Sequence, residues 1–342
     1  MGRCLNTILR AQKPPVFCSR TCRLATLQSR GIDYVKQLAL INVRDIRKIL
    51  EWNEHHNIRF FRLSSGIFPF ASHKTYGYSV EFARQDLAEV GLLARQLGHR
   101  LTCHPGQFTQ LGSPHVHVVE NSIRELKVHA DMLDFMGMGP DSVIVIHMGG
   151  TYGNQKQAVL TRFKHTFCTM LPSHVQKRLV IENDELCYNV EDLLPISQKL
   201  DIPLVLDWHH AALYPSTYPT EHYLASIREV WERRGIAPKQ HYSESRPGAI
   251  SIMERRAHSD RVSLIPPCES DVDLMIEAKD KEQAVLELYK TYRIYPVDSS
   301  VYKVANSILI NRDQSLNLQR EIRASKGKKH RRPITELSDA IV

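Results

Sequence analysis

The sequence contains no run of about 18 apolar residues, so it offers no membrane-spanning helix. Cysteine is scarce and odd in number, seven in 342 residues, which excludes a disulfide-built secreted scaffold and points to a reducing compartment. Cys18 and Cys22 have no second cysteine pair nearby, so a zinc knuckle is not expected. No Gly-x-Gly-x-x-Gly turn follows any apolar segment, which leaves a dinucleotide site without support. Acidic residues are missing from residues 1–30, which carry six Lys and Arg. The tail 320–342 is basic as well, so the net charge of +8 sits at the two ends and the middle is slightly acidic. Such ends suit a polyanionic partner, but the middle argues against a surface that is basic all over.

What is present is an ordinary globular composition, 42% apolar and 24% charged, with enough material for a full core. Eight short segments are rich in Val, Ile and Leu: 4–9, 58–65, 99–106, 142–150, 178–184, 202–210, 239–245 and 273–279. Apolar residues recur near helical period between them, over 34–54, 80–97, 118–136, 222–234 and 280–292. Strands alternating with helices predict a parallel sheet covered by helices. Eight such units predict an α/β fold of the (β/α)8 TIM-barrel type, a single barrel domain over 1–292. An open doubly wound sheet is the alternative. The first segment begins almost at Met1, so its strand is expected to be short or trimmed. Residues 293–342 read as an appendage, with 324–333 expected to be disordered.

The segments end in chemically similar residues. His104, His147 and Glu182 end the third, fourth and fifth; Asp207 and His210 end the sixth; His241 lies in the seventh and Glu277 ends the eighth. In a parallel barrel all C-terminal strand ends open on one face, so these residues converge there. Period-two alternation agrees, because Val143, Val145 and His147 share a face, as do Val180 with Glu182, Val205 with Asp207, and Lys239 with His241. A lone strand-end histidine is more often packed or exposed than a ligand. Carboxylates buried without a partner are rare, however, and seven such residues at successive strand ends argue for a centre holding several divalent cations. His73 follows an aromatic loop and could reach the same mouth, whereas His209 points away from His210 if the strand continues and reads as packing or as support for the ligands. Tyr76 and Tyr78 suit either base stacking or an ordinary loop. In His104-Pro105-Gly106-Gln107-Phe108 the strand-end His is followed by a turn that could push Gln107 and Phe108 outward as a wedge into duplex DNA; packing of Phe108 beneath a loop is the alternative.

HPGQF (104–108), VIHMGG (145–150), VIENDE (180–185), VLDWHH (205–210), KQHYSES (239–245), RRAHSDR (255–261) and DLMIEAKDKEQA (273–284) strongly resemble the fungal UV damage endonucleases. VFCSRTCR (16–23), IFPFASH (67–73) and YGY (76–78) add to the resemblance, which spans roughly residues 3–292. It implies a metal-dependent barrel similar to the apurinic endonucleases of the endonuclease-four type. The implied activity is DNA repair: a nick immediately 5′ to cyclobutane pyrimidine dimers and (6-4) photoproducts, and action at abasic sites. The implied metal ligands are His104, His147, Glu182, Asp207, His210, His241, His258 and Glu277, with His73 near the ions. By that analogy Glu182 bridges two ions; Asp207, His241 and Glu277 complete one, His104 and His147 the second, and His210 and His258 hold a third.

The catalytic group implied is Glu182, His241 and Lys239, the last matching a lysine that can be carboxylated in this family. The implied cofactor is two or three divalent ions per chain, Mn²⁺ first, with Zn²⁺ or Mg²⁺ as alternatives. The implied partner is damaged double-stranded DNA, bound by a monomer without a membrane. Asn6 matches a position near the lesion, and Gln107 and Phe108 match a Gln-Tyr probe, here without its phenol hydroxyl. An aromatic residue that some members carry four positions before Asn6 is Gly2 here. Arg20, Arg23 and Lys74 are expected on the DNA backbone. A metal-dependent sugar isomerase uses the same fold and ligand types and is the alternative function. The basic run 326–332 suggests the nucleus, and the acid-free first 30 residues a mitochondrial alternative.

Overall fold

The computed structural model of the chain describes residues 6–303. Seven four-residue strands run parallel in sequence order: β1 (Phe60–Leu63), β2 (Arg100–Cys103), β3 (Ile144–His147), β4 (Leu179–Glu182), β5 (Leu204–Asp207), β6 (Lys239–Tyr242) and β7 (Asp273–Ile276). The helices are α1 (Thr7–Ala11), α2 (Leu24–His55), α3 (Arg84–Gln96), α4 (Val116–Phe135), α5 (Lys156–Thr169), α6 (Ser173–Gln176), α7 (Val190–Leu200), α8 (Trp208–Leu213), α9 (Leu224–Arg233), α10 (Ile252–Arg255) and α11 (Glu282–Tyr292). Each strand from the second to the eighth expected position is present. Strands β1, β4 and β5 are buried along their whole length, as unbroken apolar strands covered on both faces should be.

Among the described residues the strands make a nearly closed barrel of seven, where eight are expected. The first expected strand, 4–9, is the correction: its described part is α1, and Cys4 and Leu5 lie outside the described residues. Asn6 causes the difference. Its Oδ1 accepts the Leu9 N–H at 2.9 Å, a helix N-cap that takes up a donor which a strand ladder would need. The Thr7 N–H donates to the Glu282 carboxylate at 3.0 Å, which ties α1 to the start of α11.

No ladder joins β7 to β1 among the described residues, and side chains cross that seam instead. Arg62 of β1 pairs with Glu277, one residue beyond β7. Arg100 Nη1 reaches Asp273 Oδ2 at 2.7 Å. Ile58, Phe60, Met275, Val285 and Leu288 form an apolar cluster over the gap. Burying each such side chain contributes roughly 1.5–3 kcal/mol relative to exposure.

The main core lies around the barrel. Helix α2 buries Val35, Ala39, Val43, Ile46 and Leu50 at helical spacing, on the face predicted from 34–54. The helix starts earlier than the pattern predicts, at Leu24, and kinks at Gly31, whose φ of 77° is a left-handed conformation that favours glycine. The expected helices over 80–97, 118–136, 222–234 and 280–292 correspond to a 3₁₀ turn (Val80–Ala83) leading into α3, then α4, α9 and α11.

Described residues through Val297 belong to one compact unit. A second begins at Asp298; its described part, 298–303, is a turn in which the Asp298 carbonyl accepts the Val301 and Tyr302 N–H groups. The basic run 324–333, which carries the expected tail disorder and nuclear address, lies outside the described residues. No helix among the described residues is long and apolar enough to cross a membrane.

Candidate metal centre

The strand register brings the C-terminal residues together. His147 of β3 is level with Glu182 of β4, and Asp207 of β5 is level with His241 of β6. His104 and Glu277 follow β2 and β7 by one residue. Two groups of potential ligands result, each with its donor atoms within 4.8 Å of one another: His104, His147 and Glu182, and then Glu182, Asp207 and His241. Glu182 belongs to both. Its Oε2 lies 2.7 Å from His104 Nε2 and 3.6 Å from His147 Nε2. Its Oε1 lies 2.7 Å from His241 Nδ1 and 3.9 Å from His210 Nδ1. One carboxylate thus faces two ligand groups with different oxygens, the arrangement a bridging ligand needs.

The outer ligands adjoin this pair. Glu277 Oε1 is 3.4 Å from His241 Nδ1, and His258 Nδ1 is 4.0 Å from Glu277 Oε2. His210 lies 3.7 Å from Asp207 Oδ2 and 3.7 Å from Glu185 Oε2, and its ring is 6.4 Å from that of His258. His104, His147, His210, His258 and Glu277 line a cavity of about 750 Å³. Glu182, Asp207 and His241 are buried beyond its wall, deeper than a position on the rim implies.

Electrostatics support cation binding here. Burial opposes ionisation of Glu182, but the His241, His147 and His104 imidazoles hold it well below the usual carboxylate range. Burial also opposes ionisation of Glu277, and the Arg62 guanidinium outweighs it, again keeping the carboxylate charged. Burial lowers His104 to about 4, despite Glu182 beside it, so at neutral pH it is the neutral imidazole a metal requires. His210 behaves in the opposite way: burial pulls it down, yet Asp207, Glu182 and Glu185 raise it to about 9. That surplus of negative charge is what a bound cation would neutralise. Three buried atoms, His147 Nδ1, Asp207 Oδ2 and His241 Nε2, have no hydrogen-bond partner, a costly state unless something binds them. The residues therefore fit divalent metal ions.

Lys239 is fully buried below the centre, its Nζ 3.3 Å from Thr102 Oγ1. Burial, with Arg62 and Arg100 near, lowers it to about 7. Gln107 and Phe108 stand on the cavity rim, and Phe108 is 79% exposed, so its ring is not packed beneath a loop.

Other expected residues lie elsewhere. His73 does not line the cavity; its Nδ1 accepts the Thr75 and Tyr76 N–H groups inside its own turn. Tyr76 and Tyr78 serve that loop too, Tyr76 accepting from Gln28 Nε2 and Tyr78 donating to the Pro69 carbonyl. Arg20, one of the expected DNA contacts, has partners within the chain. Its guanidinium binds Asp45 Oδ2 at 2.7 Å and stacks 4.0 Å over Phe17, pinning the segment before α2. Arg23 and Lys74 are exposed, and Asn6 is buried as the α1 cap. His209 is buried beside His258, as packing predicts.

Sequence reasoning missed Arg62, Asn183 and Glu185. Arg62 was detectable as the one charge between apolar residues in FFRL (60–63), inside the segment IRFFRLSS. Asn183 holds the Asp207 backbone from both sides: Nδ2 donates to the Asp207 carbonyl at 3.0 Å, and Oδ1 accepts its N–H at 2.8 Å.

Fold and centre together define a parallel barrel whose C-terminal strand ends gather ligand groups that fit divalent cations. The chain belongs to the UV-endonuclease UvdE family, whose sequence profile matches residues 2–306. It is 52% identical over 301 residues to the UV-damage endonuclease of Schizosaccharomyces pombe, covering 85% of this chain and 50% of that protein. It is 45% identical over 333 residues to the Neurospora crassa UV-damage endonuclease, with the same two coverages. The chain thus spans about half the length of these relatives. The crystal structure of SacUVDE superposes with a TM-score of 0.73 at 32% identity, over 82% of this chain and 96% of that one.

Proposed function

We propose that this chain is a DNA repair endonuclease that hydrolyses the phosphodiester bond immediately 5′ to UV photoproducts, with abasic sites as further substrates. The observation that carries this is Glu182, shared by two ligand groups beneath a cavity whose rim presents the exposed Gln107 and Phe108. Family membership and the similarity to two UV-damage endonucleases favour it over the sugar isomerase. The working unit is one chain on damaged duplex DNA, with Mn²⁺ as the preferred ion.

When bound, divalent ions lower the pKa of water and neutralise charge on the phosphate and the departing oxygen. His104, His147, Glu182, Asp207, His241 and Glu277 would hold them, with His210 and His258 beside. Phe108 fills space vacated by unstacked bases, and Gln107 offers an amide to the partners left behind. Damaged bases stack poorly and cost less to extrude, which supplies selectivity. Water adds across the P–O3′ bond: its oxygen joins phosphorus and the 3′ oxygen leaves with a proton, giving a 3′-hydroxyl and a 5′-phosphate.

The test is a duplex carrying one thymine dimer, incubated with protein and Mn²⁺. Incision next to the dimer, lost on adding EDTA, is expected; an intact strand in Mn²⁺ ends the proposal. Glu182→Gln should lower incision by at least about 10³-fold, about 4 kcal/mol of transition-state stabilisation, while duplex binding persists. Parental activity in that variant would remove the bridging role.

A further inference from the structure

Five large apolar side chains among the described residues are at least 70% exposed, and all five fall in two stretches of chain, one after β2 and one after β6. Phe108 (79%) and Val116 (70%) belong to the connection from β2 into α4; Ile250 (88%), Ile252 (70%) and Met253 (74%) belong to the connection from β6 to β7. Phe108 belongs to the rim already described, and Val116 opens α4. The second group is used by nothing above. Strand β6 stands four places from β2 in the strand order, so the two loops rise on opposite sides of the mouth.

The second loop is built to hold its apolar tip in place. An isolated antiparallel bridge between Ser245 and His258 closes its base. Ser245 Oγ donates to the Arg255 carbonyl at 2.7 Å. At the tip, Ser251 and Glu254 form a capping box, and the Glu254 carboxylate also accepts the Ile250 N–H at 3.1 Å. The single acid of the tip is thereby spent on backbone donors, while Arg246 and Arg255 remain exposed beside the apolar residues. The returning limb runs into the cavity, where Arg256 and His258 line the wall and Arg256 Nη2 holds Glu185 at 2.6 Å.

We propose that residues 246–255 are a second DNA-binding wedge, with Ile250, Ile252 and Met253 pressing into the groove of the duplex opposite Phe108. The inference rests on the endonuclease reading and extends it to the far side of the mouth. Exposed Ile and Met on a braced loop, flanked by arginines and continuous with the cavity, suit base steps bordered by phosphates. Two wedges on opposite sides would hold the duplex bent over the centre, which neither loop can do alone.

The experiment measures binding of the full chain, with Mn²⁺, to a dimer-containing duplex by anisotropy, and reads unstacking with 2-aminopurine beside the lesion. The variant is Ile250→Ser/Ile252→Ser/Met253→Ser; the control is Met170→Ser, an exposed apolar residue outside both loops. The triple variant should bind at least about tenfold more weakly and lose most of the 2-aminopurine signal, at an unchanged melting temperature, with the control as the parent. A triple variant that binds and unstacks like the parent overturns the wedge while parental incision leaves the endonuclease reading intact. A parent that neither binds nor nicks the damaged duplex overturns that reading itself. Self-association of the parent that the triple variant abolishes, with duplex binding unaltered, would make a second copy the occupant and overturn the DNA assignment.

Discussion

Asn183 shows how the centre depends on a side chain that offers no ligand of its own. Its amide holds the Asp207 backbone through both atoms, and its own carbonyl lies 3.0 Å from His210 Nδ1. One residue thereby orients two ligand positions. Asn183→Leu removes both amide contacts without greatly changing volume. Mn²⁺ affinity should fall about 10–100-fold, the usual cost of losing a group that orients ligands, measured by calorimetric titration. Stability should fall by roughly 1–3 kcal/mol from the buried groups left unpaired, measured by urea unfolding. Unaltered Mn²⁺ affinity would show that the Asp207 backbone needs no such support. Asn183 was legible in sequence only as part of a motif, because its role depends on β4 and β5 lying side by side. Arg20 illustrates the reverse dependence: its charge suggests a phosphate contact, while the fold gives it Asp45 and Phe17 as partners within the chain.

Between elements, close approach and charge pairing set the packing. Helix α3 meets the C-terminal end of α4 at Gly91, where an added Cβ would lie 1.8 Å from the Met136 carbonyl oxygen. Gly91→Ala should therefore destabilise the fold by about 1–3 kcal/mol even though alanine is the better helix former, a reversal visible in a chemical denaturation series. A second junction joins α2, β1 and the start of β2: Glu54 pairs with Arg59 at 2.6 Å and with His99 at 3.0 Å. The Arg59 hydrogen bond is the main reason that Glu54 lies near 2; burial opposes it and His99 assists. A carboxylate depressed on folding adds stability above its unfolded pKa of about 4.5, and the gain disappears as pH falls toward 2. The melting temperature should thus drop between pH 5 and pH 2.5, and less steeply in Glu54→Gln; equal slopes would assign acid sensitivity to other groups. The strand expectation for 4–9 failed at this scale too. An apolar run of six residues fits strand or helix, and an N-cap hydrogen bond, not periodicity, decided between them.

For the whole molecule, the centre is a concentration of charge that the barrel alone stabilises poorly. Unpartnered buried atoms on His147, Asp207 and His241, with several carboxylates raising His210, should make the metal-free chain the less stable form. Mn²⁺ at about 100 times its dissociation constant should stabilise it by about 2.7 kcal/mol per site, and EDTA should reverse the shift in a thermal melt. A melting temperature indifferent to both would mean that the site holds no ion. Composition, periodicity and strand-end residues determined the parallel barrel and named most of the centre, because alternation along a strand and the common direction of parallel strands are local rules that carry a residue to a known face. They could not determine that the barrel of the described residues has seven strands, that Arg62 and Glu277 cross its seam, that Glu182 serves two ligand groups, or that His73 stays in its own turn. Those outcomes depend on distances between residues far apart in the chain, and such distances exist only once the barrel has curved and its helices have packed around it.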